Sequence, residues 1–294
     1  MKIIQHIIDL IASIFTDQNH TLGEIIYSAP TNWKPSGLKN TSIGLVITIY
    51  DNDSRRDAKV ILNGKQIYSG HEETIGTPLE MGNLFFAGEC GTVLIWDVAA
   101  SKMVRGSALK YSTCAVKFEG KPCVINTVNP TISVINCWTG QVDFTLPGTN
   151  GIVLMAAESD DGLLYAAANG GRGILISNKS IVDLLDCRCV VNYRGRIIAS
   201  SGNRLYQIEG GKASYLDELP CETIMHLDVA KDLLWVAGPN SLWTYNPILR
   251  RKFVGKIGPD YHVGTSAFGA RVTNGKYFAW AENGTSARVC KIEG

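Results

Sequence analysis

The sequence predicts an all-β fold, built from one short antiparallel meander repeated seven times and closed into a ring, with an amphipathic helix in front of it. Three observations lead there. Apolar runs of four to six residues rich in β-branched and aromatic side chains alternate with glycine- and asparagine-bearing turns, as antiparallel strands require. The arrangement recurs at a near-constant interval. The first stretch of the chain has a different, helical period.

The unit is most legible at Asn83–Gly106. Leu84–Ala87 is a first strand, Gly88–Gly91 a turn, and Thr92–Asp97 a second strand ending on Trp96-Asp97. A third runs from Lys102 to Gly106. Its equivalents begin at Cys123, Leu163, Ile197, Leu234 and Tyr277, at steps of 34 to 43 residues from Leu84. One further step back reaches Leu45–Tyr50, the seventh unit. A three- or four-stranded sheet cannot bury both faces alone, so each unit needs its neighbours.

Taken in order, residues 1–18 come first. Ile3, Ile4, Ile7, Ile8, Ile11, Ile14 and Phe15 fall on one side of a helical wheel, with Lys2, Gln5, His6, Asp9 and Ser13 opposite. That is an amphipathic helix. It is too short and interrupted to span a bilayer, lacks the apolar centre of a signal peptide, and has a single basic residue, Lys2, on its polar face. An isolated helix of this length needs a surface to lie against. The expected surface is its own domain or a partner, with Ile4, Ile7, Ile8, Ile11 and Phe15 as the contact residues.

Residues 19–294 form the second region, which continues to Gly294 without a low-complexity linker. Leu22–Ser28 reads as a strand, and Pro30–Gly37 as a loop. The last unit shows only three strands, so the strand near 22–28 is expected to complete it, joining the two chain ends in one sheet and removing its exposed edge. Ser180–Leu185 fits either a strand or one helical turn.

The Trp96-Asp97 strand end and the Lys102–Gly106 strand after it resemble the WD-repeat branch of the β-propeller superfamily. Gly70-His71 stands at the start of the same unit, and Trp138-Thr139-Gly140 keeps a related turn. The resemblance covers roughly residues 42–294 in period and strand count and implies a seven-bladed propeller of degenerate repeats, with six and eight blades as the neighbouring counts. It also implies that the turns at Glu89, Asn129, Asn169, Asn203, Asn240 and Asn283 share one face with the loops holding His71, Tyr111, Tyr261 and His262. Aromatic loop residues suit a contact surface, so these four join the helix as candidate partner-binding residues.

Composition excludes several classes. A net charge of +1, with no charged block, gives no electrostatic footprint for nucleic acid. Eight cysteines lie mostly in or beside predicted strands without a Cys-x-x-Cys, which reads as reduced core thiols in a cytosolic setting. Cys187-Arg188-Cys189, read as a strand, puts both thiols on one face. No metal or cofactor is expected: Asp51-Asn52-Asp53 lacks the glycine and glutamate of a calcium loop, and Gly170–Gly173 sits in a hairpin turn rather than ahead of a helix.

No catalytic motif stands out. His226, within Ile224–Leu227, reads as a satisfied core residue. The expected function is therefore non-catalytic: an interaction platform, scaffold or virion component, cytoplasmic or within an intracellularly assembled particle, with other proteins as partners. A carbohydrate-binding propeller and a propeller enzyme with a central-channel site are the alternatives.

Overall fold

The computed structural model describes residues 21–51, 57–70, 78–82, 84–89, 91–97, 102–109, 112–128, 131–147, 152–169, 173–239, 242–248, 251–255, 270–281 and 286–293. Every regular element among them is a strand. Thr21–Thr31 is β1. Trp33–Thr41, Gly44–Asp51, Ala58–Leu62 and Lys65–Gly70 (β2–β5) form sheet I. Leu79–Met81, Leu84–Glu89, Gly91–Asp97 and Lys102–Leu109 (β6–β9) form sheet II. Ser112–Phe118, Lys121–Val128, Thr131–Asn136 and Val142–Leu146 (β10–β13) form sheet III. Sheet IV is Ile152–Glu158, Leu164–Asn169, Gly173–Ile176 and Ile181–Val182 (β14–β17). Sheet V is Val190–Tyr193, Arg196–Ser201, Arg204–Glu209 and Lys212–Glu218 (β18–β21). Sheet VI is His226–Ala230, Leu233–Ala237, Leu242–Asn246 and Arg251–Gly255 (β22–β25). Ala270–Thr273, Tyr277–Ala281 and Ser286–Glu293 (β26–β28) make sheet VII, whose fourth strand is β1.

Among the described residues all seven sheets are antiparallel, six of them sequential meanders and the seventh completed by β1, and the protein is an all-β propeller. First strands lie beside first strands: β10 touches β14, β14 touches β18, β18 touches β22, β22 touches β26, and β26 touches β2. These strands form the inner edge of the ring. In sheet VII, β1 pairs with β28 through Leu22↔Ile292, Ile25↔Cys290 and Tyr27↔Val289. β1 thus covers the edge that a linear array would expose.

Each seam between neighbouring sheets carries its own apolar cluster, because side chains on a strand alternate between the two faces. Cys123 and Ile125 face sheet IV, whereas Val124 between them faces sheet II. Burial on both faces explains why β23, Leu233–Ala237, is apolar throughout and buried at every position. The seam of sheets III and IV packs Phe118, Val116 and Cys114 against Leu164 and Ala166. That of VI and VII packs Trp235, Ala237, Phe278 and Trp280. Trp96 closes the seam of I and II against Val46 and Val60, so the tryptophan of the Trp-Asp pair is a packing group.

Hairpins joining first and second strands emerge on one face of the ring, where polar groups tie consecutive sheets together. Glu119 N–H donates to Glu158 Oε1 at 2.9 Å across sheets III and IV. Asn192 Nδ2 donates to Glu158 O at 2.7 Å across IV and V. Tyr193 O–H donates to Asp232 O at 2.8 Å across V and VI, beside an Arg194–Asp232 ion pair at 2.9 Å. The Lys231-Asp232 turn has φ of 50° and 60°, a primed turn that matches strand twist without glycine.

Some sequence expectations change, and an open one settles. Pro30–Gly37, expected as a loop, is strand on both sides of Asn32. Cys187 lies in the seam of IV and V and Cys189 in that of V and VI. Strand β18 begins only at Val190, so the alternation assumed for Cys187–Cys189 does not apply. Ile181–Val182 settles as a short strand. The expected helix at 1–18 lies outside the described residues, and among those residues no helix is long and apolar enough to cross a membrane.

Candidate active site at the inner strand of the sixth sheet

The inner strand β22 reads His226-Leu227-Asp228-Val229-Ala230. Leu227 packs in the seam with sheet V, and Ala230 packs against the cluster shared with sheet VII. His226 and Asp228 share Ala230's parity, which turns them toward sheet VII. Met225 N–H donates to Ala237 O at 2.8 Å, while His226 is the register partner of Ala237. Two residues therefore oppose one at the start of β22, the geometry of a bulge. Register shifts also interrupt inner strands β2, β10 and β14, between Pro35 and Gly37, Ser112 and Cys114, and Val153 and Met155. Bulges re-aim side chains, and here they recur on the edge that faces the axis.

His226 is buried, with 6% of its surface exposed. Its Nδ1 accepts a hydrogen bond from Thr273 N–H of β26 at 3.4 Å. Its Nε2 is buried with no hydrogen-bond partner among the described residues. Burial, and secondarily the charge of Lys39 on β2, push its pKa down to about 4. The ring is therefore neutral at pH 7. A nitrogen that accepts cannot carry the proton, so the proton sits on Nε2. The result is a buried N–H donor with no acceptor among the described residues, an arrangement native cores rarely tolerate without a role.

Asp228 is half-buried. Burial raises its pKa, opposed by the Lys39 charge and by Val229 N–H, which donates to Oδ1 at 2.8 Å. Its Cα lies about 7 Å from that of His226, two residues along an extended strand. Lys39 thus brings a positive charge from sheet I to bear on both groups. The set comprises a carboxylate, a neutral imidazole N–H and an ammonium: an acceptor for a proton, a donor for a developing anion, and a charge that favours anionic intermediates.

Other clefts lie elsewhere among the described residues. One of about 390 Å³ is lined by Ser159, Asp160, Tyr165, Arg196 and Glu209 on the hairpin face of sheets IV and V. Another, of about 550 Å³, includes Asn203, Leu219, Cys221 and Pro239. Neither has a buried polar atom left without a partner among the described residues.

The expected partner-binding residues Ile4, Ile7, Ile8, Ile11, Phe15, His71, Tyr111, Tyr261 and His262 all lie outside the described residues. The reading of His226 as a satisfied core residue is corrected: among the described residues one ring nitrogen has a partner and the other has none. Sequence reasoning missed Asp228 and Lys39. The legible signal was His-x-Asp on one strand, which places both side chains on one face; Lys39 is distant in sequence and offered none.

No family model matches the chain, and no curated protein matches it in sequence. Solved structures do share its fold. Virginiamycin B lyase from Staphylococcus aureus superposes with a TM-score of 0.64 at 13% identity, over 88% of this chain and 95% of that one. A catalytically inactive histidine-to-alanine variant of virginiamycin B lyase from Staphylococcus aureus, with quinupristin, gives 0.67 at 12% identity over 90% and 97%. A streptogramin B lyase gives 0.68 at 10% identity over 94% and 99%. At these identities the likeness shows the fold alone. The expectation of a non-catalytic platform, scaffold or virion component is corrected by what these three structures are: lyases that share the fold over 88%, 90% and 94% of this chain. The β-propeller stands; these neighbours are not WD-repeat proteins.

Proposed function

We propose that the protein is a propeller enzyme that breaks a bond by elimination at the inner edge of sheets VI and VII. The observation that carries this reading is the buried, neutral His226 whose Nε2–H has no partner among the described residues, two residues from Asp228 on one strand. In the proposed step the Asp228 carboxylate takes a proton from carbon. The electron pair of that C–H bond forms a new double bond, and the bond to the leaving heteroatom breaks with its electrons. His226 Nε2–H donates to the oxygen on which negative charge develops, and Lys39 stabilises the same charge. Neutral imidazole suits this role as a hydrogen-bond donor, as in other enzymes where burial or a dipole keeps it uncharged. The proton held on Asp228 then passes to the leaving group, which restores the carboxylate.

By likeness to the lyases that share the fold, virginiamycin B and quinupristin are the first substrates to supply. Chromatography of the reaction should show their consumption by the wild-type protein. His226→Ala should slow it by about 10²–10³-fold, as removal of one oxyanion donor does, and Asp228→Asn by about 10²–10⁴-fold. Absence of turnover in the wild type would sink these substrates. Turnover unchanged in both variants would sink the site.

A further inference from the structure

The hydrogen bond that fixes His226 comes from a neighbouring sheet, and the residues around its donor form a small rigid unit. Thr273 ends β26, and its side chain is fully buried. Thr273 Oγ1–H donates to Tyr277 O at 3.1 Å, and Gly275 N–H donates to the same Oγ1 at 3.3 Å. The next residue, Asn274, accepts with Oδ1 from Lys276 N–H at 3.1 Å and Tyr277 N–H at 2.9 Å. Gly275 has φ of 75°, and a Cβ there would stand 2.4 Å from Ala230 Cβ and 2.8 Å from Trp235 Nε1, so the turn is pressed against sheet VI. Thr273 N–H therefore has little freedom to move away from the imidazole.

We infer that Thr273 is a positioning residue, whose side chain pins the 273–277 turn so that its backbone N–H holds His226 in the Nε2–H tautomer. This rests on the reading of His226 as the donor of the active site. The neutral imidazole otherwise chooses between two tautomers of similar energy, and only one leaves a donor on Nε2. Losing the Thr273 Oγ1 bonds frees the turn. Nδ1 can then carry the proton, leaving Nε2 an acceptor of no use to a developing anion.

The test is the nitrogen spectrum of the imidazole in protein labelled with ¹⁵N-histidine, in the wild type, Thr273→Ser and Thr273→Val. The His226 signal should show Nε2–H alone in the wild type and Thr273→Ser, which keeps the hydroxyl, and a mixture with Nδ1–H in Thr273→Val. Turnover should follow, falling about 10²-fold in Thr273→Val at unchanged KM, in line with the cost of a misplaced catalytic group, and recovering in Thr273→Ser. A wild-type spectrum with Nδ1–H overturns the inference whether or not Thr273→Val folds. So does an unaltered Nε2–H tautomer in folded Thr273→Val. The spectrum needs no substrate. If the tautomer shifts as described while His226→Ala keeps full turnover, the positioning role stands and the catalytic reading of His226 falls.

Discussion

The seam between sheets III and IV and the seam between sheets VI and VII are the same joint built twice, with opposite content at the inner edge. At III and IV, Cys114, Val116 and Phe118 on the first strand meet Val153, Leu164 and Ala166, and Phe118 stacks edge-on to Phe144 with centroids 5.4 Å apart. Counting back from the turn, His226 and Asp228 on β22 stand where Cys114 and Val116 stand on β10. The backbone frame is indifferent to that exchange, because alternation and register are kept. The free energy is not indifferent: one seam gains from apolar burial, while the other holds a neutral histidine whose Nε2–H has no acceptor among the described residues. On the proposed reading, a site is grafted onto one joint of a repeated fold while the other joints carry the stability.

The largest effect expected from breaking this comparison is in the apolar seam. Phe118→Ala removes a ring that is 5% exposed and leaves a cavity. It should cost about 3–5 kcal/mol in denaturant unfolding. A loss under about 1 kcal/mol would show that this seam does not carry the stability assigned to it.

Next comes acid sensitivity, which belongs to the polar seam. His226 titrates near 4 when folded and near 6.5 when unfolded. Below 6.5 the unfolded chain binds a proton that the folded chain refuses, so the histidine's contribution is fully present above pH 6.5. It is lost as pH falls through 4, to the extent of about 3 kcal/mol. His226→Asn should flatten this part of the stability–pH curve between 6.5 and 4. An unaltered slope would place the linkage elsewhere.

The smallest contrast is between two turn glycines. A Cβ at Gly120 (φ 73°) would meet no atom of the described residues within 4 Å, whereas one at Gly275 (φ 75°) would meet Ala230 and Trp235. Both alanine variants incur the left-handed penalty of about 1–2 kcal/mol. Gly275→Ala should cost about 1–2 kcal/mol more, because it overpacks the contact, measured as the difference in unfolding midpoints. Equal costs would mean that the 273–277 turn is not pressed against sheet VI.

Much of this architecture was legible along the chain. The steps from Leu84 to Tyr277, the turn residues between them and the three-strand count of the last unit all arise from local chemistry: β-branched runs form strands, glycine and asparagine turn them. The pairing of Leu22 with Ile292 followed from an unpaired edge that had to be covered. The Cys187–Cys189 pair failed because alternation holds only inside a strand, and that strand starts at Val190. The site was the least legible part. Local pattern makes β22 a strand and puts His226 and Asp228 on one side of it. Whether that side meets an apolar wall, a backbone N–H or a charge depends on which strands the ring brings alongside, and Thr273 and Lys39 lie 47 and 187 residues away. Sequence determined the repeated unit, because strands and turns are short-range. Only the tertiary structure decided the state of His226, because burial, a donor from sheet VII and a charge from sheet I act through space.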